Sequence, residues 1–158
     1  MSTIDELVTA NATYAETAHR AGLDTVPQRN VLVVTCMDTR LDVLPMLGLD
    51  VGEAHIVRNA GGIVTDDALR SIVISQRKLA TTEIAVVQHS KCGLLGLRDD
   101  DFWDEIEADT GQRPDFETHG FDDFDESVRR SMARIDDNPF IPHKNVRGFV
   151  IDVDSGLL

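Results

Sequence analysis

"VLVVTCMDTR", Val31 to Arg40, is the stretch that decides the fold. A continuous apolar run gives way to three chemically active residues at alternate positions, Cys36, Asp38 and Arg40. A strand that is apolar at successive positions is covered on both faces, as in a parallel sheet flanked by helices. Parallel strands end on a common edge, and open α/β sheets form their ligand crevices outside those carboxyl ends. The polar triplet therefore stands where such a sheet places its chemistry.

Working outward, "AHIVRNAGG" reads as a second strand that breaks into a glycine loop, and "TEIAVVQHSKCG" as a third running into another loop. Between the first two strands, "RLDVLPMLGL" is a short helical crossover interrupted or begun at Pro45. Between the second and third, "TDDALRSIVISQRKLA" is a helix. Thr65 is its cap, Asp66 and Asp67 favour its start, and Arg77 and Lys78 favour its end. Upstream, Ile4, Leu7, Val8, Ala12 and Ala15 recur at helical spacing and predict a helix over Ile4 to His19. Downstream, "WDEIEAD" and "FDESVRRSMARIDDN" are helix candidates, the latter ended near Pro139. Val146 to Val153 reads as a last strand, followed by a turn at "DSG". Strands alternating with helical crossovers give an α/β fold with a mostly parallel sheet.

The length of 158 residues suits one domain spanning residues 1–158. The formal net charge is -13, from twenty Asp and eight Glu against twelve Arg and three Lys. Such a surface repels nucleic acid and anionic membrane, so neither is expected as a partner. Adaptation to high salt is one reading of it, and an acidic interaction surface is the other. "MSTIDELVTA" has no basic region followed by an apolar one, as a secretory signal would, and no run reaches the length of a membrane span. A cytoplasmic location is expected, and a disulfide between Cys36 and Cys92 is not.

Those two cysteines carry the chemical question. His89 and Cys92 form an H-x-x-C pair at the end of the third strand, and Cys36 ends the first. Two thiolates and one imidazole are zinc ligands in type and number, and three protein ligands leave a position for water or substrate. Taken singly, Cys36 reads more readily as a small buried hydrophobe and His89 as a satisfied polar residue; both cysteines beside a histidine at two strand ends favour the metal. A structural zinc with a fourth protein ligand is a further alternative. Asp38 either fills the fourth position or accepts a hydrogen bond from metal-bound water, with Arg40 beside it holding the carboxylate. In "RNAGG", Gly61 and Gly62 permit positive φ or close approach, and Arg58 either faces an anion or belongs to a plain strand-to-helix turn.

"CMDTR", "RNAGG" and "HSKCG", in that order from about Asn30 to Gly93, resemble the β-class carbonic anhydrases, and "GFVIDVDSGLL" resembles the end of the family's small members. The resemblance implies a central, mostly parallel sheet of about four strands, with an added edge strand in many members, flanked by helices. It implies one Zn2+ per chain on Cys36, His89 and Cys92, and Asp38 and Arg40 as the family's Asp–Arg dyad. Asp38 would join the metal only in a closed form. Arg58, Asn59, Ala60, Gly61 and Gly62 would shape the substrate cleft. The implied reaction is reversible hydration of CO2 to bicarbonate and a proton by attack of zinc-bound hydroxide. Hydrolysis of CS2 or COS on the same site, or non-catalytic zinc or bicarbonate binding, are the alternatives. A homodimer that in some members pairs into a tetramer is also implied, with the helical arm in residues 1–29 as the dimer contact. Val33 stands where some members carry the tryptophan of a non-catalytic bicarbonate pocket.

Overall fold

The computed structural model describes residues 2–158. The sheet has four strands, β1 (Val31–Cys36), β2 (Ala54–Asn59), β3 (Glu83–His89) and β4 (Asn145–Ile151), in the order β2-β1-β3-β4. Every pairing is parallel, which requires a crossover between successive strands. The crossovers contain α2 (Val43–Met46), α3 (Asp66–Leu79), and, between β3 and β4, α4 (Asp99–Thr110) and α5 (Phe124–Asp136). A leading helix, α1 (Thr3–Thr17), precedes the sheet.

Both faces of the sheet are covered, as the unbroken apolar run in β1 demands. On one side Leu32, Val34, Ile84 and Val86 pack with Ala68 and Ile72 of α3 and Ile135 of α5. On the other, Val33, Val87 and Ile151 pack with Leu41, Val43, Ile63 and Phe121. Val33 is thus a core residue. Helix α3 begins where its cap and charges place it: the Thr65 hydroxyl accepts from the Ala68 amide, and the helix ends at Ala80 in a left-handed conformation.

Several boundaries differ from the sequence reading: α1 ends at Thr17 rather than His19, α2 is a single turn within Arg40–Leu49, and two others have a clear local cause. Helix α4 starts at Asp99 rather than near Trp103, because Asp99, Asp100 and Asp101 form its first turn, where negative charge is favoured. Strand β4 stops at Ile151 rather than Val153, because the Asp152 carboxylate turns back to accept from the Asp154 and Ser155 amides. Helix α1 makes its capping box at Ser2 and Asp5 but buries no residue, and Ile4, Leu7 and Val8 are 71%, 64% and 68% exposed. None of the helices among the described residues is long and apolar enough to cross a membrane.

Candidate metal centre

The register of the parallel strands assembles the site. Thr35 of β1 lies opposite Val87 of β3, so Cys36 and His89 both leave the sheet at the same edge. Cys92 follows three residues after His89, on the turn that β3 runs into. One donor atom each from Cys36, His89 and Cys92 lies within 4.8 Å of the others, and this is the only such group of three among the described residues. All three side chains are buried, and neither thiol is in a disulfide.

Whether a metal fits is decided by the ring of His89. Its Nδ1 lies 2.9 Å from the carbonyl oxygen of Ser90, which can only accept, so Nδ1 carries the proton. The lone pair of a neutral imidazole is then on Nε2, a fully buried atom with no hydrogen-bond partner. A buried polar atom is rarely left alone, and here it faces two thiols. The thiols are also poised: the Cys36 pKa is lowered, first by the hydrogen bond from Cys92, and that same contact raises the Cys92 pKa. A cation between the two sulfurs would take the place of the proton they share. Two soft sulfurs and one imidazole suit zinc, with a fourth tetrahedral position open.

Asp38 stands beside this cluster, its Oδ2 3.8 Å from the His89 Nε2. Arg40 grips it as a fork: Nε donates to Oδ1 at 2.9 Å and Nη2 to Oδ2 at 2.7 Å, while the Arg40 amide closes a tight turn onto Oδ1 at 2.9 Å. Hydrogen bonds from the Arg40 side chain, then from its amide, hold the Asp38 pKa far below the usual carboxylate range. Arg40 Nη2 also donates to the Lys91 carbonyl at 3.0 Å, tying the turn after β1 to the turn after β3.

The "RNAGG" segment sits under the Cys36 backbone. Each guanidinium nitrogen of Arg58 donates to a carbonyl: Nε to Cys36 at 2.9 Å, Nη2 to Asp38 at 2.7 Å and Nη1 to Leu41 at 3.3 Å. Asn59 braces the loop, its side chain accepting from the Ile63 amide and donating to the Ile63 carbonyl. Ala60, Gly61 and Gly62 form a single 3-10 turn. Gly62 has φ +63°, and a Cβ there would lie 2.8 Å from the Cys36 amide nitrogen. The glycine lets this turn lie flush on the strand end that carries the first ligand.

The carbonic anhydrase family model matches residues 31–158. A β-carbonic anhydrase 1 from Mycobacterium tuberculosis is 45% identical over 159 residues, covering 100% of this chain and 97% of that protein. This chain belongs to the β-carbonic anhydrase family. The crystal structure of a carbonic anhydrase from Streptococcus mutans superposes with a TM-score of 0.93 at 42% identity, covering 99% of this chain and 95% of that one. A carbon disulfide hydrolase from Acidithiobacillus thiooxidans is 46% identical over 104 residues, or 60% of this chain and 48% of that protein. The Cys36, His89 and Cys92 cluster is a site for one zinc ion per chain.

The sequence reading did not single out Ser90 or Asp152. Ser90 supplies the carbonyl that fixes the His89 tautomer, and its hydroxyl donates to Asp152 at 3.2 Å. The turn-prone run "DVDSG", Asp152 to Gly156, is the only sequence trace of Asp152, and Ser90 has none. Of the remaining histidines, His55 engages Ser75 with Nδ1 and the Thr25 carbonyl with Nε2, a structural role. Trp103 is buried, with Phe102 and Phe116 packed beside it.

Proposed function

We propose that this protein reversibly hydrates CO2 to bicarbonate and a proton. The observation that carries the reading is the orphaned, buried Nε2 of His89, aimed at two thiols beside a carboxylate already claimed on both oxygens by an arginine. Zinc bound there supplies a Lewis acid that makes a water nucleophilic near neutral pH. Two thiolates neutralise much of its charge, so the protein must help orient the nucleophile. Asp38 can do so: it is ionised, adjacent, and can accept a hydrogen bond from a water there without taking its proton. Arg40 pins both carboxylate oxygens in place, which favours an open fourth position over a closed one. The wall beneath is set by Arg58, Asn59, Ala60, Gly61 and Gly62, which fix the Cys36 end of the cleft.

Stopped-flow CO2 hydration on zinc-verified protein tests this, with CS2 hydrolysis measured beside it. CO2 turnover that falls in Cys36→Ser and Asp38→Ala supports the reading. Full zinc occupancy with no CO2 turnover from about pH 7 to about pH 9 would sink it, and turnover of CS2 alone would transfer the site to the related hydrolysis.

A homodimer is part of the same proposal. Helix α1 has an apolar face, Ile4, Leu7 and Val8, that its own chain leaves mostly exposed, and a helix this exposed does not hold its shape in water alone. A second copy of the chain is the occupant that would cover it. Removal of residues 2–22 should convert a dimer to a monomer in light scattering. A reducing cytoplasm suits the two ligand thiols, and we place the protein there.

A further inference from the structure

The His89 ring is aimed by the carbonyl of the next residue, so whatever fixes the Ser90–Lys91 peptide fixes the ligand. That peptide is not held by its own strand alone. Lys91 has φ +55°, a left-handed conformation uncommon for a side chain with a Cβ. Such a conformation persists where neighbours over-determine it.

The neighbours belong to the end of the chain. Ser90 donates its amide to the Ile151 carbonyl at 2.9 Å and its hydroxyl to Asp152 Oδ2 at 3.2 Å, and that hydroxyl accepts from the Val153 amide at 3.0 Å. Lys91 pairs with Asp154 at 2.5 Å. Asp152 is itself immobilised: its Oδ1 accepts from the Asp154 amide at 3.1 Å, the Ser155 amide at 2.8 Å and the Ser155 hydroxyl at 2.9 Å. The Asp152 amide donates to the Leu157 carbonyl at 2.8 Å, and the Gly156 amide returns to the Asp152 carbonyl at 2.7 Å. These hydrogen bonds keep the Asp152 pKa below the usual value. The turn is therefore a closed unit, and it touches the ligand-bearing loop at Ser90 and Lys91.

We propose that the C-terminal turn, Asp152 to Leu157, is a strap that orients the metal-binding loop, with Asp152 and Ser90 as positioning residues for His89. Asp152 holds the Ser90 hydroxyl, Ser90 holds its peptide in place, and the peptide carbonyl holds the Nδ1 proton so that Nε2 faces the thiols. The inference rests on Cys36, His89 and Cys92 being the metal ligands, not on which substrate is used. Partners one step outside a metal's ligands typically change its affinity by about 10–100-fold when removed. Ser90 and Asp152 stand one step beyond such a carbonyl, so the lower end of that range applies.

The test is zinc affinity by competition with a chromophoric chelator, on wild type, Asp152→Ala, Asp152→Asn, Ser90→Ala and, as a surface control, Asp104→Ala. Asp152→Ala and Ser90→Ala are expected to weaken zinc about tenfold, with Asp152→Asn between them and wild type because an amide oxygen can still accept. Asp104→Ala should match wild type. A second readout separates aim from mere stability: in 15N NMR of the zinc-loaded protein, the His89 Nδ1 proton should exchange faster with water in Asp152→Ala. If Asp152→Ala does not fold, Ser90→Ala, which deletes one half-buried hydroxyl, decides the question. Unchanged zinc affinity with an equally protected Nδ1 proton would overturn the proposal. So would equal losses in Asp152→Ala and Asp104→Ala. Absence of CO2 turnover in zinc-loaded wild type would count against the proposed function alone, since zinc affinity and Nδ1 exchange test the strap without it.

Discussion

Replacing Arg58 separates two roles that the same side chain could have, an anion contact and a backbone clamp. Its three donors reach the carbonyls of Cys36, Asp38 and Leu41 at 2.9, 2.7 and 3.3 Å. Hydrogen bonds from a charged donor contribute about 1.5–3 kcal/mol each when buried. Here the longest is weak and the Asp38 carbonyl can be re-solvated, so about 1 kcal/mol apiece is the better figure, near 3 kcal/mol for Arg58→Met. For a chain of this size that lowers the melting temperature by about 6–12 °C. Arg58→Lys restores the charge but not the fork, so it should recover about one bond of the three. The assay is thermal unfolding of zinc-saturated protein at fixed concentration, with bicarbonate KM measured in parallel. A clamp predicts a large drop for Met, a slightly smaller one for Lys, and a KM that moves little. An unchanged melting temperature, a several-fold rise in KM for Met and its rescue by Lys would refute the clamp.

Asp38→Ala should keep one zinc per chain and lower kcat/KM for CO2 by about 100-fold, since orientation of the nucleophile is lost and no ligand is; metal analysis beside stopped-flow kinetics checks both halves. Gly62→Ala should destabilise by about 2–4 kcal/mol in urea, because its Cβ would meet the Cys36 amide nitrogen at 2.8 Å from a backbone at φ +63°. Arg40→Leu should show a pH signature. The folded pKa of Asp38 is depressed, so its ion pair stabilises fully above the unfolded carboxylate value and fades as pH falls through the folded one. The stability gap between wild type and Arg40→Leu should therefore be flat from about pH 8 to about pH 5 and narrow below about pH 4, and a gap that widens on acidification would contradict the pairing. If the charge of -13 is an adaptation to salt, the unfolding midpoint should rise steadily with KCl up to molar concentrations, whereas an equal midpoint at low and high salt favours the interaction surface.

The parts of the fold legible in the sequence are those where local signals agree. β1 and β3 are short apolar runs with polar ends, and α3 has a cap, an acidic first turn and a basic last turn. The start of α4 was not legible, because three successive aspartates look the same in a solvated loop and in a helix's first turn. The cluster of Cys36, His89 and Cys92 could be read because both cysteines and a histidine fall at the ends of two strands of one parallel sheet. Arg58 could be placed but not oriented: nothing in "RNAGG" says whether its guanidinium faces solvent, an anion or the carbonyls of a loop 17 to 22 residues upstream. Ser90 and Asp152 lie 62 residues apart, and one sequence holds no sign that they touch.

The geometry of Arg40 shows why the dyad needs an arginine and not simply a cation. Its fork engages both oxygens of Asp38, which keeps that carboxylate ionised and pins it in place, while Oδ2 retains a lone pair that can accept from a water beside it. The same Nη2 reaches the Lys91 carbonyl, next to Cys92 and on the loop that the C-terminal turn straps down. A lysine ammonium is a point charge on a flexible stem; it could preserve the low pKa of Asp38 but not two parallel bonds together with a third to another loop. Charge and position are therefore carried by one group here, and Arg40→Lys should leave Asp38 ionised yet freer to swing toward the zinc. Its consequence is a slower enzyme with tighter metal retention, the opposite of what loss of Ser90 or Asp152 should do.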